Sequence, residues 1–394
     1  MNKDHIGIAI IGCGFVADYY LITLPNHPNL KLIGVWDHKP ERLSHFASYH
    51  NTQAFDSLEQ CLADSRVELV LNLTNPSAHY ELNKAAMLAG KHVYSEKPLA
   101  MSWSEILDLQ EIANRENRLL TSAPCSLLGE QAQTLWKAIR DKRIGEIYYI
   151  EARIDEGLTH QMAYRRWKSI SGIPWPWKDE FEVGCTLEHA GYYLTWLTAI
   201  FGPVKRMTTF AKCLVVDKET DEPLSVNAAD FSHTTLEFSS GEVATLQCSI
   251  VAPHNRGLHI VGSEGSLSTD DCWFFDTPIM LHQQSKIDKF IEWASPITRR
   301  ISRLPGIGEL LSERPKAIPP VRKAHFESAK SGNRMDFARG PADLATALLT
   351  NDSVKLTMNH AVHVNEIALT MQYPETMGHV RELQSTFEPL EPMT

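Results

Sequence analysis

The sequence predicts a mixed α/β protein in which alternating strands and helices precede a second domain built on a large, mostly antiparallel sheet. From Ile6 to about Pro124, short apolar runs alternate with segments of helical pattern. Such alternation is typical of βαβ units, which form a parallel sheet covered by helices. Later runs are longer and β-rich, with hairpin signals at Ser-Gly and Glu-Gly, and they favour antiparallel pairing. A length of 394 residues also favours two domains.

We predict a first domain over residues 1–124 and a second, α+β domain over residues 125–394, with an arm-like excursion at about 282–334. The excursion is rich in Pro and Gly and has a local excess of Lys and Arg. Its charge could bind an anionic partner, but its scattered aromatics favour a solvated or subunit-bridging surface. One face of the second sheet is expected to stay open and to pair with another copy, giving a homodimer or homotetramer.

Charge and composition narrow the class of protein. There are 38 Lys and Arg against 48 Asp and Glu, a net charge of -10, which disfavours nucleic acid and anionic membranes as partners. The seven cysteines are scattered and never spaced as CxxC, so neither a disulfide framework nor a metal site is indicated. Because the N-terminal apolar run is too short for a signal peptide and no apolar segment is long enough to cross a membrane, we expect a cytoplasmic protein.

The first strand leads into a glycine pattern that predicts a nucleotide site. In "IAIIGCGFVADYY", Gly12, Gly14 and Ala17 form a GxGxxA motif, with Phe15 and Val16 completing the turn. The first glycine permits a tight turn, the second lets backbone approach a pyrophosphate, and the alanine allows close packing of helix on strand. The following helix N-terminus favours the anionic phosphates.

The second strand ends at Asp37, at roughly the spacing where a carboxylate meets a ribose 2′-hydroxyl. Strand, glycine turn and acidic residue together predict a Rossmann domain that binds NAD, because Asp37 would repel a 2′-phosphate. Lys39 and Arg42 lie close enough to leave NADP as an alternative. An ordinary βα turn with a local acidic cap is disfavoured by this combination of features.

The third and fourth strands end in the polar segments "NLTNPSAH" and "SEKP". Ligands of open parallel sheets bind beyond the carboxyl ends of the strands, so both segments should line the same crevice as the cofactor. The candidate cofactor-binding residues here are Thr74, Asn75, Pro76, His79, Glu96 and Lys97.

Lys97 is the candidate proton acceptor. Burial and the positive nicotinamide ring are expected to lower the pKa of its amine toward the range useful for proton transfer. Glu96 would orient the surroundings, and the Lys97-Pro98 peptide is a candidate cis bond. Outside such a crevice, a plain surface lysine would be the better explanation.

These motifs resemble the Gfo/Idh/MocA oxidoreductases, the group of glucose-fructose oxidoreductase and inositol 2-dehydrogenase. The resemblance lies in "GCGFVA", Asp37, "TNPSAH" and above all "EKP". It extends over nearly the whole chain, because "DFARGPADLATALLTND" and "HVNEIAL" also resemble the C-terminal part of that family. The resemblance implies that Lys97 contacts the substrate hydroxyl beside the nicotinamide.

Many members of that family carry Gly-x-Leu-x-Asp-x-Gly-x-His, whose Asp and His face the substrate. In "GCTLEHAGYYLTWLTAIFG", alignment on Leu187 and Gly191 places His189 at the Asp position and Tyr193 at the His position. Helical spacing predicts a cleft-facing stripe of His189, Tyr193 and Trp196 beside a buried apolar stripe. The helix dipole is expected to keep His189 neutral. An ordinary half-buried aromatic pair is the alternative.

The segment "DEGLTHQMAYRRWKSISGIPWPWKDEF" is predicted to contact the substrate. Tryptophan faces suit the C-H faces of sugars, and a guanidinium can bind a carboxylate or phosphate in a fork. The candidate substrate-binding residues are Asp155, Arg165, Trp167, Trp175 and Tyr193. A polyhydroxylated ligand, neutral or acidic, is expected, although the tryptophans could instead fasten a Pro-rich loop to the sheet.

Together these features predict an NAD(P)-dependent oxidoreductase of a sugar, cyclitol or sugar derivative. Lys97 would take the hydroxyl proton as a hydride passes to the nicotinamide, with Tyr193 and His189 positioning the alcohol. Two alternatives stay open. One is an enzyme that retains NAD and uses transient oxidation for glycoside cleavage or elimination, as some relatives do. The other is a non-catalytic sensor with the same fold.

Overall fold

The computed structural model describes residues 4–283, 315–322 and 334–393. Most of the excursion predicted at 282–334 lies outside these described residues. Within them, none of the helices has the length and apolar content that crossing a bilayer requires. The described chain forms two sheets, one parallel and one mostly antiparallel, which confirms the predicted fold class.

The first sheet has five strands in the described part of the chain, all parallel, in the order β2-β1-β3-β4-β5. They are β1 (Ile6–Ile11), β2 (Leu30–Trp36), β3 (Leu69–Asn72), β4 (His92–Ser95) and β5 (Leu120–Ser122). β1 is buried along its whole length, as expected for a central parallel strand with both faces covered. The strand order reverses between β1 and β3, and such a switch point is where open sheets bind ligands.

Helices cover both faces of this sheet. They are α1 (Ala17–Thr23), α2 (Pro40–His50), α3 (Leu58–Ala63), α4 (His79–Leu88) and α5 (Trp103–Arg115). α5 shows why the sequence forms helices here: Ser102 and Glu105 make a capping box at its start, and its apolar residues recur at helical spacing and are buried.

The second sheet has nine strands among the described residues, in the order β13-β12-β11-β10-β6-β9-β8-β7-β14. They are β6 (Ile147–Asp155), β7 (Val204–Lys212), β8 (Phe231–Phe238), β9 (Val243–Ser249), β10 (Leu258–Gly262), β11 (Gly265–Thr269), β12 (Met280–Gln283), β13 (Lys316–Ala317) and β14 (Val380–Glu382). Neighbours are antiparallel except β6 and β9. Burial alternates along β8, so one face of this sheet is buried and, among the described residues, the other is open. Self-association through this face stays a prediction.

The other helices in the described part of the chain are α6 (Glu130–Arg140), α7 (Trp177–Val183), α8 (Gly191–Phe201), α9 (Arg339–Thr350), α10 (Met358–Gln372) and α11 (Pro374–Met377). α8 and α10 pack against each other and belong to the large core that includes the buried side of the second sheet. α9 returns to the first sheet, where Leu344 and Ala345 share a core with Ile8 and Ile10. The domain boundary at residue 124 stays a prediction.

Candidate active site

A cleft of about 990 Å³ opens at the carboxyl ends of β1, β3 and β4, between the first sheet and the second-domain residues that follow β6. One wall comes from the turns after these strands and from the start of α2. The facing wall comes from residues 173–192, 256 and 273–274. The cleft therefore lies at the switch point of the parallel sheet.

The glycine turn after β1 has the geometry that its sequence predicts. Gly12 has a φ of +96°, and a Cβ atom there would lie 2.8 Å from the Leu73 backbone, so only glycine fits. A Cβ at Gly14 would meet nothing within 4 Å, which leaves open space above this backbone. Gly14, Phe15 and Val16 line the cleft. The turn therefore fits a dinucleotide whose pyrophosphate approaches the backbone.

Asp37 is more enclosed than the sequence predicts. Its side chain is 0% exposed and accepts hydrogen bonds from the backbone of Cys13 and Lys39 at 2.8 Å each. Arg42 donates two more at 2.8 and 2.9 Å. Burial raises the pKa of Asp37, but these bonds, that of Arg42 foremost, lower it by more. The acceptor positions of this carboxylate are filled, and Arg42 and Lys39 line the cleft instead.

The segments after β3 and β4 lie side by side. Thr74, Asn75 and Pro76 line the cleft. His79 does not: it is 0% exposed, and its ring nitrogens lie 2.6 Å from the Pro98 carbonyl oxygen and 2.9 Å from the Thr74 carbonyl oxygen. Because His79 begins α4 with its ring turned inward, it ties the two segments together rather than facing a ligand.

Glu96 lies on the cleft wall and is held from both sides. It accepts a hydrogen bond from the Tyr20 hydroxyl at 2.7 Å and one from the Lys97 backbone at 3.2 Å. Glu96 therefore places a fixed negative charge directly beside Lys97. The Lys97-Pro98 peptide is cis.

Lys97 points into the cleft and forms an ion pair with Glu188 of the second domain. Burial lowers the pKa of Lys97, but the charges of Glu188 and Glu96 raise it by more, so the net pKa is above its ordinary value. The lowered pKa predicted from the sequence is therefore wrong. The prediction counted burial and the nicotinamide ring but not Glu188, which is distant in the sequence.

Glu188 was missed because the family pattern directed attention to its neighbour, His189. Residues Thr186–Ala190 form a π-helical turn ahead of α8 rather than a regular α-helical start. Such a turn changes the angular phase of the helix, and π turns are frequent at functional sites. As a result the cleft-facing positions are Glu188, His189 and Tyr192. An acidic residue beside the pattern was the available signal.

His189 lies on the cleft wall but is held by carboxylates. Its Nε2 atom is 2.6 Å from Glu180 Oε1, and its Nδ1 atom is 4.0 Å from Glu156 Oε1. Burial lowers the pKa of His189, but Glu180 and Glu156 raise it by more. The helix dipole was expected to lower the pKa of His189, but two nearby full charges outweigh that partial charge and raise the pKa instead.

Tyr193 does not reach the cleft. It is 0% exposed, its hydroxyl donates to the Arg256 carbonyl oxygen, and its ring packs against Trp196. Burial raises its pKa well above the ordinary value. α8 is buried on nearly all sides. Tyr193 and Trp196, which were predicted to face the cleft, therefore pack in the core. On α8, Tyr192 rather than Tyr193 lines the cleft.

Of the residues predicted to bind the substrate, Trp175 reaches the cleft. Trp167 packs edge-on against it, with ring centroids 5.0 Å apart. Arg165 lies elsewhere, with its guanidinium 2.7 Å from Asp221. Asp155 is 1% exposed in the second sheet and accepts a hydrogen bond from Gln247 at 2.9 Å. Burial raises the pKa of Asp155 to about 6.

The loop between Trp167 and Trp177 is anchored on the first domain. Asp18 on α1 accepts a hydrogen bond from the Ser171 hydroxyl at 2.7 Å and lies 2.5 Å from His50 Nε2 on α2. His45 Nε2 lies 2.7 Å from the Ser171 carbonyl oxygen. These contacts place residues 173–176 on the cleft wall.

The far wall contains residues that sequence reasoning did not single out. Arg256 donates to Glu156 at 2.8 Å through Nε and to Asp271 at 3.1 Å through Nη1. Its guanidinium carbon lies 3.6 Å from the centre of the Trp273 ring, and this ring stacks on His189. The residues missed on the cleft wall include Asp179, Glu180, Glu188, Tyr192, Arg256, Trp273 and Phe337.

Two family descriptions match this chain. Residues 6–123 match the GFO_IDH_MocA model, described as an oxidoreductase family with an NAD-binding Rossmann fold. Residues 132–268 match the GFO/IDH/MocA C-terminal domain. The predicted NAD-binding Rossmann domain is thereby confirmed.

Individual relatives agree with these matches. An uncharacterized oxidoreductase of Schizosaccharomyces pombe is 30% identical over 46% of this chain and 47% of its own length, so that match spans about half of the relative. The NADP(+)-dependent scyllo-inositol 2-dehydrogenase of Bacillus subtilis is 23% identical over 67% of this chain and 68% of its own. The structure of the WlbA dehydrogenase from Bordetella pertussis, in complex with NADH and UDP-GlcNAcA, superposes with a TM-score of 0.70 at 16% identity, covering 97% of this chain and 99% of that one. This last likeness shows the fold.

Proposed function

Because the chain belongs to the GFO/IDH/MocA family of NAD-binding oxidoreductases, we propose that it transfers a hydride between a nicotinamide cofactor and a hydroxyl-bearing carbon of a sugar, cyclitol or sugar derivative. The observation that carries this proposal is the position of Lys97. Its amine lies in the same cleft as the glycine turn, at the carboxyl end of β4. A proton donor and acceptor beside the cofactor turn is what alcohol oxidation and ketone reduction need.

The residues of this chain supply binding, orientation and proton transfer. Bound dinucleotide supplies the hydride acceptor, and the Gly12–Val16 turn would hold its pyrophosphate. Lys97 would contact the substrate hydroxyl, taking its proton during oxidation and returning it during reduction. Because Glu188 and Glu96 raise the pKa of Lys97, the ammonium form prevails near neutral pH. Proton donation to a ketone is then favoured near neutral pH, and alcohol oxidation at higher pH.

Redox-assisted cleavage, left open by the sequence, is not favoured. The scyllo-inositol relative and the WlbA neighbour are both named as dehydrogenases. The proposal names the class of substrate, and the experiment below identifies the substrate itself and its oxidised carbon.

The proposed function is tested by NAD+ and NADP+ reduction over a panel of polyols, aldoses, uronic acids and nucleotide sugars. Appearance of reduced cofactor with a member of the panel is the expected result, and the hydroxyl oxidised is identified from the product. Absence of hydride exchange across the whole panel in both directions would overturn the proposal.

Cofactor choice provides a further prediction. A ribose 2′-hydroxyl must displace Arg42 to reach Asp37, because the acceptor positions of that carboxylate are filled, whereas a 2′-phosphate can meet Arg42 and Lys39 directly. We expect Arg42→Ala to weaken NADP+ binding about 10-fold, or about 1.4 kcal/mol, and to leave NAD+ binding equal or stronger. The measurement is the Kd of each nucleotide by fluorescence titration.

The matched control for this variant is Arg66→Ala. Arg66 makes a comparable two-pronged contact with Asp64, on an exposed surface outside the residues that line the cleft. Its loss should change neither Kd. If Arg42→Ala weakened both nucleotides equally, Arg42 would have only a structural role in the turn.

A further inference from the structure

We propose that the substrate of this cleft carries no anionic group, so that uncharged or amino-bearing polyols are accepted and sugar acids and sugar phosphates are rejected. This inference rests on the proposed function and specifies its substrate class. It follows from the charges on the wall that faces Lys97. That wall is acidic: Asp179, Glu180 and Glu188 all line the cleft, and Glu96 adds a carboxylate from the first domain.

The cations near this wall are already neutralised. The Lys97 ammonium is paired with Glu188. The Arg256 guanidinium is paired with Glu156 on one side and with Asp271, at 3.1 Å, on the other. Among the described residues of this wall, both cations therefore already have carboxylate partners. A carboxylate or phosphate on the substrate would have to break one of these pairs, leaving a protein carboxylate without its partner.

His189 does not change this balance. Its imidazole lies between Glu180 at 2.6 Å and Glu156 at 4.0 Å. A proton on His189 neutralises part of this acidic pair and leaves no surplus positive charge. An anionic substrate group would face carboxylates on the same side.

Asp179 gives the wall its excess negative charge. Its carboxylate accepts a hydrogen bond from the neutral Asn75 amide at 2.7 Å, and no ion pair of Asp179 is found among the described residues. Burial raises its pKa, as do the charges of Glu188 and Glu182. Like charges thus already repel at this point, and an anionic ligand would add to that repulsion.

Two cations of the segment predicted to contact the substrate do not line the cleft. Arg165 is paired with Asp221 at 2.7 Å, and Lys178, in the first turn of α7, is paired with Glu222 at 3.2 Å. Lys39 and Arg42 also line the cleft, and their charges lower the pKa of Asp179, but by less than burial, Glu188 and Glu182 raise it. Arg42 is paired with Asp37, and both cations lie at the start of α2, where the cofactor ribose is expected. Of the neutral and acidic ligands that the sequence left open, the structure thus favours the neutral one.

The test compares the best neutral substrate of the panel with its uronic acid, its phosphate ester and its amino derivative. At low ionic strength we expect kcat/KM for the two anionic derivatives to be at least about 100-fold below that of the neutral sugar. The amino derivative should stay within about 10-fold of the neutral sugar, because an ammonium is compatible with an acidic wall. Added salt should narrow the gap between neutral and anionic substrates, since screening weakens charge repulsion.

A pair of variants identifies the source of the selectivity. Asp179→Asn is expected to raise the ratio of anionic to neutral kcat/KM about 10-fold, and Glu111→Gln to leave that ratio unchanged. Glu111 is exposed on α5 and its replacement changes the net charge equally, but it is not among the cleft-lining residues. Preference for an anionic derivative, or an unchanged ratio in Asp179→Asn, would overturn the inference and leave the proposed function standing. No turnover with any derivative or panel member would overturn both.

Discussion

Replacement of Lys97 by methionine is expected to reduce turnover at least about 1,000-fold while leaving dinucleotide affinity largely unchanged. Methionine keeps an unbranched side chain but has no amine, so the substrate hydroxyl loses the group that exchanges its proton. The dinucleotide is expected to contact mainly the glycine turn and α2, which this substitution does not alter. The measurements are kcat for the best substrate of the panel and the Kd for NAD+.

Lys84→Met is the matched control for this loss. Lys84 pairs with Asp108 at 3.0 Å on the outside of the first domain, so its removal should not change kcat. Because Lys97→Met leaves Glu188 without its partner, the Tm of both variants is measured to show that the loss of turnover is not unfolding. Turnover at the wild-type rate in folded Lys97→Met would refute the assigned role.

Replacement of Glu188 by glutamine is expected to shift the pH profile of alcohol oxidation to lower pH by about 1 to 2 units. In the native chain, burial lowers the pKa of Lys97 but Glu188 and Glu96 raise it by more. Glutamine removes the nearest negative charge and keeps an oxygen that accepts a hydrogen bond, so the pKa of Lys97 falls.

The sign of this shift follows from the form of Lys97 that reacts. Oxidation needs the neutral amine, which predominates above the pKa, so the rising limb of kcat/KM for oxidation moves to lower pH. Reduction needs the ammonium, which predominates below the pKa, so the falling limb for reduction moves to lower pH as well. Full profiles in both directions measure the effect.

The control is Glu182→Gln, which makes the same change in net charge without touching Lys97. It should leave both limbs in place. If Glu188→Gln lowered kcat but did not move either limb, Glu188 would only position neighbouring groups and would not set the charge of Lys97.

Much of the first domain could be predicted because its signals are local. Gly12 is needed because the turn after β1 gives it a positive φ and brings it close to the Leu73 backbone. The alternation of strands with helices predicts the parallel sheet by itself. Thr74, Asn75, Pro76, Glu96 and Lys97 could be assigned to the cleft from one rule, since the carboxyl ends of parallel strands share an edge. The open face of the second sheet was expected because antiparallel sheets commonly leave one face uncovered.

The charge state of the site depends on tertiary packing. Lys97 and Glu188 are 91 positions apart and meet only because the second domain packs against the first. The π turn at Thr186–Ala190 turns Tyr192, rather than Tyr193, to the cleft. A pattern that assumes a regular helix therefore selects the tyrosine one position too late. Arg42 closes on Asp37 only in the folded βα turn.

By itself the sequence therefore determined the fold class, the dinucleotide turn and the lysine beside it, because these follow from periodicity and from residues close in the chain. The tertiary structure decided which carboxylate holds that lysine charged, which aromatic residues line the cleft, and that its far wall is acidic. These features depend on distances between segments far apart in the chain, and electrostatic interactions change steeply with distance and burial.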